Sequence, residues 1–108
     1  MMNECPVKFA LGLLNGKWKL RIVWELSQNN ILRFNELQRC LEGISSVMLS
    51  KNLEELENCK IVSRKQYNEI PPKVEYSLTP LGQAIKPALA ALGEWGVCAY
   101  EAINSDGE

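Results

Sequence analysis

"GISSVMLSKNLEELENCK", residues 43–60, reads as a turn followed by one helix, and the fold hangs on it. Leu49, Leu53 and Leu56 recur at helical spacing, with Met48 and Asn52 beside them, and Ser45 offers an N-cap oxygen just ahead of the stripe. The charges are unevenly spread. Ser46, Val47, Ser50 and Lys51 keep the first half small, uncharged or basic, whereas Glu54, Glu55 and Glu57 crowd the second half, where the helix dipole disfavours carboxylates. Helix stability does not account for that order. A surface met by the N-terminal half would.

Upstream, "FNELQRCL" (34–41) repeats the period through Phe34, Leu37 and Leu41 and is ended by Gly43. Two helices joined by a tight, glycine-containing turn form a helix-turn-helix candidate. Before them, "WKLRIVWELSQ" (18–28) sets Trp18, Ile22 and Leu26 on one side with Val23, and turns Lys19, Arg21 and Glu25 outward. "NGK" separates this from a short helix over about 6–14, opened by Pro6 where a missing N–H costs nothing. "NNILRF" supplies a turn and a very short strand.

Downstream the period changes to two. "IVSRKQYNE" and "VEYSLT" are rich in β-branched and aromatic residues and flank "IPPK", whose prolines forbid helix, so a β-hairpin is predicted. "TPLGQAIKPALAALGEWGVCAYEAI" (79–103) then reads as one long helix, capped by Thr79 and kinked at Pro87, with Leu81, Ile85, Leu89, Leu92, Trp95, Ala99 and Ile103 along one stripe. The fold class is mainly α with a small antiparallel β-hairpin (α+β): a winged helix-turn-helix with the hairpin as wing. It forms a single domain over residues 1–108.

Composition agrees with one ordinary core: 108 residues, 46% hydrophobic and 23% charged, with a net charge of −1. The longest apolar runs are far too short to span a bilayer and no signal segment opens the chain, so a cytoplasmic protein without a membrane partner is expected. There are no histidines, and the four cysteines at 5, 40, 59 and 98 form no CxxC pair. Metal ligation is thereby disfavoured, and the commonest general base is missing. Neither a cofactor nor an enzymatic activity is expected, and no small-molecule effector can be named. Acid gathers towards the C-terminus, at Glu94, Glu101, Asp106 and Glu108, while Lys60, Arg64, Lys65 and Lys73 outnumber Glu69 and Glu75 around the hairpin.

In helix-turn-helix proteins the N-terminal part of the second helix enters the major groove, where hydroxyls, amides and cations read base edges. Ser46, Val47, Ser50 and Lys51 suit that role, and Glu54, Glu55 and Glu57 would repel phosphates if the other end led. Serines that merely cap and fill a surface helix are the alternative. Lys73, at or next to the stiff hairpin tip, with Arg64 and Lys65 on the arm, can lie along phosphates or in a minor groove; a solvated edge is the competing reading. Arg33 and Asn35, opening the third helix, are candidate backbone clamps. Lys17 and Lys19 are weaker ones.

Several strings are more specific: "CPV" (5–7), "GKWKL" (16–20), "LRFNELQR" (32–39), "GIS" (43–45), "MLS" (48–50), "PPKVEYSLTPLG" (71–82) and "EWG" (94–96). Together they closely resemble the HxlR-type winged-helix transcription regulators, related in fold to the MarR group. The resemblance implies a homodimer, formed by the first and last helices, on a pseudo-palindromic double-stranded DNA operator. Leu89, Leu92, Trp95 and Tyr100 agree, because they give the last helix more apolar surface than a monomer of this size easily covers. Two departures stand out. Lys60 occupies a position where the family commonly has a glycine ending the recognition helix, which predicts a helix end displaced by a residue or so. Glu54 and Glu55 stand where basic or polar residues are frequent.

Cys5, just before Pro6, falls at the N-cap of the first helix, where free amides, the helix dipole and Lys8 stabilise a thiolate. Some members of the family sense oxidants or electrophiles through a cysteine at this position; an inert thiol near a terminus is the alternative. Cys40 and Cys59 read as packing residues, and Cys98 lies on the proposed dimerisation helix. A winged-helix module for protein–protein contact, or a small thiol enzyme, are the competing functional classes.

Overall fold

The computed structural model describes residues 2–105; Asp106 and Glu108 of the acidic C-terminus lie outside them. The elements run α1 (Pro6–Leu13), α2 (Lys19–Asn29), β1 (Ile31–Leu32), α3 (Phe34–Cys40), α4 (Ser46–Asn58), β2 (Val62–Tyr67), β3 (Lys73–Leu78), α5 (Pro80–Ala84) and α6 (Lys86–Asn104). The wing is more than a hairpin. β1 adds to it antiparallel, with Ile31 opposite Ser77 and Leu32 opposite Tyr76, giving the strand order β1-β3-β2.

The core collects the apolar stripes of the helices around α2. Ile22 and Leu26 of α2, Leu37 of α3, Leu41 of the turn and Leu49 and Leu56 of α4 have no exposed surface, and Val62 and Leu78 close the core from the sheet. Trp18 is buried at the N-cap of α2. Lys19 is not turned outward as its spacing suggests: it is buried, at 8% exposure, with its ammonium 2.6 Å from Glu55 and 3.1 Å from Asn15 Oδ1. A charge can be taken from water there because it meets both a counter-ion and a second acceptor.

The turn between α3 and α4 follows from Gly43. Its φ of +91° is costly for any residue with a Cβ, and it lets the Ile44 N–H donate to the Leu41 carbonyl at 3.1 Å. Ser45 then caps α4, its hydroxyl accepting from the Met48 N–H at 3.1 Å. At the other end of α4 no displacement occurs. Lys60 itself takes the left-handed conformation, at φ 65°. The Ile61 N–H donates to Leu56 O and the Lys60 N–H to Glu57 O, both at 3.0 Å, which is the bonding of a Schellman cap. Buried Leu56 and Ile61 supply its hydrophobic contact, so packing outweighs the strain of roughly 1–2 kcal/mol.

Thr79 ties the next helix to that cap. Its hydroxyl donates to Lys60 O at 2.6 Å and accepts from the Gly82 N–H at 3.1 Å. A Cβ on Gly82 would lie 2.4 Å from Ile61 O, so only glycine lets α5 sit this close. The predicted long helix is two helices, broken at Ile85. Pro87 falls in the first turn of α6 and there displaces no hydrogen bond, so it starts a helix rather than kinking one.

α1 and α6 project from this body. Among the described residues, α1 buries none and α6 buries Leu89 alone. The radius of gyration is 16.1 Å, whereas a compact chain of this length has about 13 Å. Apart from Leu89 and the partly covered Leu13, their large apolar residues are open to solvent.

Candidate nucleic-acid interface

On α4 the helical period sets Val47, Lys51, Glu54 and Asn58 along the line opposite the leucines. Val47 is 77% exposed, an outlying value for an apolar side chain with a core so near. Ser46, Ser50 and Lys51 are exposed beside it, and Phe34, Ser46, Val47, Ser50, Lys51 and Glu54 line a shallow depression along this face. The N-terminal turn is braced by a residue that periodicity passes over: Gln38 Nε2 lies 3.2 Å from both Ile44 O and Ser46 Oγ. Its amide holds the start of α4 against α3.

The three carboxylates of the second half part company. Glu55 belongs to the fold, because its hydrogen bond with Lys19 joins α4 to α2 and holds its carboxyl below the usual glutamate range. Glu57 is half-buried in a depression shared with Ser50, Leu53, Glu54, Arg64 and Tyr76. Glu54 alone stays on the outward line, and among the described residues it makes no ion pair and no side-chain hydrogen bond. The acidic half is thus not a uniform repulsive block.

The sheet register sorts the basic residues of the wing. Arg64 pairs with Tyr76 and Lys65 with Glu75, so these adjacent cations face opposite sides of the sheet. Arg64 shares its side with Gln66, whose Oε1 lies 3.4 Å from Nη1, and faces the depression against α4. On the other side Lys65 and Lys73 lie over the Tyr67 ring, 4.9 and 4.4 Å from its centre. Tyr67 donates to Glu75 Oε1 at 2.9 Å, and Lys73 Nζ is 3.7 Å from Glu75 Oε2. Lys73 lies beside the loop, as expected, but its ammonium is folded back over Tyr67 and the side chain is three-quarters covered.

Arg33 and Asn35 are exposed at the start of α3. The Arg33 N–H is already taken by Glu36 Oε1 at 2.8 Å, so any grip on phosphate there rests on the two side chains. Cys5 is the N-cap of α1, is exposed, and makes no capping hydrogen bond. Cys98 is exposed on α6, and Cys59 packs against the core. Cys40 is exposed rather than packed; local desolvation and the facing Glu25 carboxylate push its thiol up. Of the four apolar residues expected at an interface, Leu92, Trp95 and Tyr100 are 51%, 67% and 70% exposed. Leu89 is instead buried in the chain's own core and can only back the others.

Comparison with known proteins places this arrangement of a helix pair and a wing among helix-turn-helix regulators. Residues 13–104 match the model of the HxlR-like helix-turn-helix family. The HTH-type transcriptional regulator YkvN of Bacillus subtilis is 41% identical over 105 residues, covering 97% of this chain and 88% of that protein. BH0655 of Halalkalibacterium halodurans, also an HTH-type transcriptional regulator, is 43% identical over 96 residues, 89% of this chain and 85% of its own. The solved structure of the redox regulator HypR in its reduced form superposes with a TM-score of 0.87 at 39% identity, covering 94% of this chain and 99% of that one. The chain belongs to the HxlR-like helix-turn-helix family, a family of transcriptional regulators rather than enzymes.

Proposed function

We propose that this regulator binds a pseudo-palindromic operator in the cytoplasm as a homodimer, each subunit being one winged-helix domain flanked by dimerisation helices. The observation that carries the reading is the exposed apolar surface of α1 and α6: Val7, Phe9 and Leu11 on one, Leu92, Trp95, Val97, Tyr100 and Ile103 on the other. Such a surface is stable in water only when covered, and a second copy covers it with closed two-fold symmetry. Among the described residues no helix is long and apolar enough to cross a membrane.

Symmetry then turns two α4 helices towards one side. Ser46, Val47, Ser50 and Lys51 meet base edges in the major groove, Arg64 holds the strand between helix and wing, and Lys65 and Lys73 follow the next phosphates. Arg33 and Asn35 clamp the backbone at the other flank. Cys5 is the redox-responsive thiol: it is exposed beside the proposed interface, so its oxidation changes the angle between subunits, and its similarity to the redox regulator HypR supports this role. The test is a salt series. Affinity for a selected operator should fall with log salt by about 0.9 per phosphate neutralised, and Arg64→Ala should reduce that slope by about one. Affinity independent of salt would sink the reading.

A further inference from the structure

We propose that Glu54 is a base-reading residue that selects cytosine at one position of each half-site. The inference rests on the reading of α4 as the groove-entering helix and deepens it. A carboxylate facing DNA is normally a fault, since every phosphate repels it. Of the other two acidic residues of the helix, Glu55 is joined to Lys19, and Glu57 is half-buried and off the outward line. Glu54 is exposed, makes no ion pair among the described residues, and occupies the outward line with Val47 and Lys51.

Its place on that line decides what it can reach. Ser50 and Glu54 border both depressions that flank the helix, the one towards Phe34 and the one towards Arg64, so they form part of the ridge between them. The wing stands beside the middle of α4 rather than its tip, because Arg64 lines the same depression as Ser50, Leu53 and Glu57. With both α4 and the wing on DNA, as proposed above, α4 lies along the groove rather than end-on into it. Val47 and Glu54 are then separated by roughly 10 Å of helix rise, about three base-pair steps, so both reach base edges.

An ionised carboxylate only accepts hydrogen bonds. The major-groove edge offers donors at cytosine N4 and adenine N6, but beside N6 adenine presents the N7 acceptor, which repels a second oxygen; guanine and thymine offer no donor. Cytosine is therefore the partner, and the bond to it offsets the repulsion by the flanking phosphates.

The experiment is random-oligonucleotide selection with the full-length protein and with Glu54→Gln. A glutamine has nearly the same shape but donates as well as accepts, which suits the N6 and N7 pair of adenine. The wild type should enrich cytosine at one position per half-site on the order of tenfold, and the variant should shift that position alone towards adenine. A motif identical for both proteins, or an affinity that rises equally for all sequences on substitution, overturns the assignment and leaves DNA binding intact. A wild type that enriches no sequence overturns the operator reading and this assignment with it. Glu54 is exposed, so the variant folds.

Discussion

Trp95→Glu tests the proposed homodimer, on which the proposed operator binding depends. Trp95 is the largest apolar side chain left open on α6, with 67% of its surface exposed. An aromatic side chain carries roughly 150–250 Å² of coverable surface, so hiding the open part removes roughly 100–170 Å² from water. At about 25 cal/mol per Å² that is roughly 2.5–4 kcal/mol per copy, and two-fold symmetry counts it twice. Losing roughly 5–8 kcal/mol weakens the dimer by about four to six powers of ten, before the cost of burying a carboxylate is added. The monomer keeps its core, because the indole contributes almost nothing to it. Analytical ultracentrifugation at micromolar protein should therefore find the wild type dimeric and the variant monomeric with an unchanged circular dichroism spectrum. Operator affinity should fall in parallel, since one half-site per protein is then engaged. A dimeric variant with undiminished operator affinity refutes the assignment of this face.

Lys60→Gly should raise stability by about 0.5–1 kcal/mol, the relief of left-handed strain less the greater entropy of an unfolded glycine, and lift Tm by roughly 2–6 °C. A lower Tm would mean that the lysine side chain supports the cap. Glu55 has a depressed pKa when folded, so its pairing with Lys19 stabilises the protein at neutral pH and is lost as pH falls below about 4.5, the ordinary value. Glu55→Gln should thus be less stable than wild type at pH 7, with the two denaturation midpoints converging on acidification; a gap that persists to low pH contradicts the pairing. Cys5→Ser should keep its operator affinity and lose the change that peroxide produces in the wild type. An oxidant response of unaltered size would move the sensor elsewhere.

The helices and the wing were legible because they present a clear period, 3.6 through Leu49, Leu53 and Leu56 or two through Val74, Tyr76 and Leu78, and because Gly43, Ser45 and Thr79 mark element boundaries chemically. Features set by distant partners were not. Lys19 reads as surface until Glu55 is brought against it, although a carboxylate late in a helix was a visible signal that something other than the dipole holds it. The pairing of Ile31 and Leu32 with Tyr76 and Ser77 joins segments far apart in sequence, and two residues carry too little pattern to announce it. Pro87 is ambiguous in the sequence, because proline fits both a kinked interior and a first turn, and Ile85 decides between them only through its contacts. At the site, Arg64 and Lys65 look like one basic patch until the register sends them to opposite sides. Gln38 carries no signal in periodicity, because its role is a hydrogen bond to the next helix.

Among the described residues, α2 is one stiff route by which a signal received at α6 would reach α4, the helix proposed to face DNA. α2 touches α3, α4, α6, β1 and β3, with Ile22 and Leu26 fully enclosed between them. The Lys19–Glu55 pair fastens it to α4 from the polar side as well. A close-packed core of this kind moves as a body rather than yielding locally. Rotation at the apolar faces therefore reaches α4 almost undiminished. In the proposed dimer on its operator, half-sites one turn apart would set each recognition helix about 17 Å from the two-fold axis, so a rotation of about 5° per subunit would carry it about 1.5 Å along the groove. That is nearly half of one base-pair step of 3.4 Å, enough to break hydrogen bonds to base edges while leaving looser phosphate contacts in place. A switch built this way acts chiefly on sequence preference, so an oxidised protein should retain salt-dependent binding to random duplexes while its preference for the operator collapses. Equal loss of both would mean that the subunits separate or unfold instead of turning.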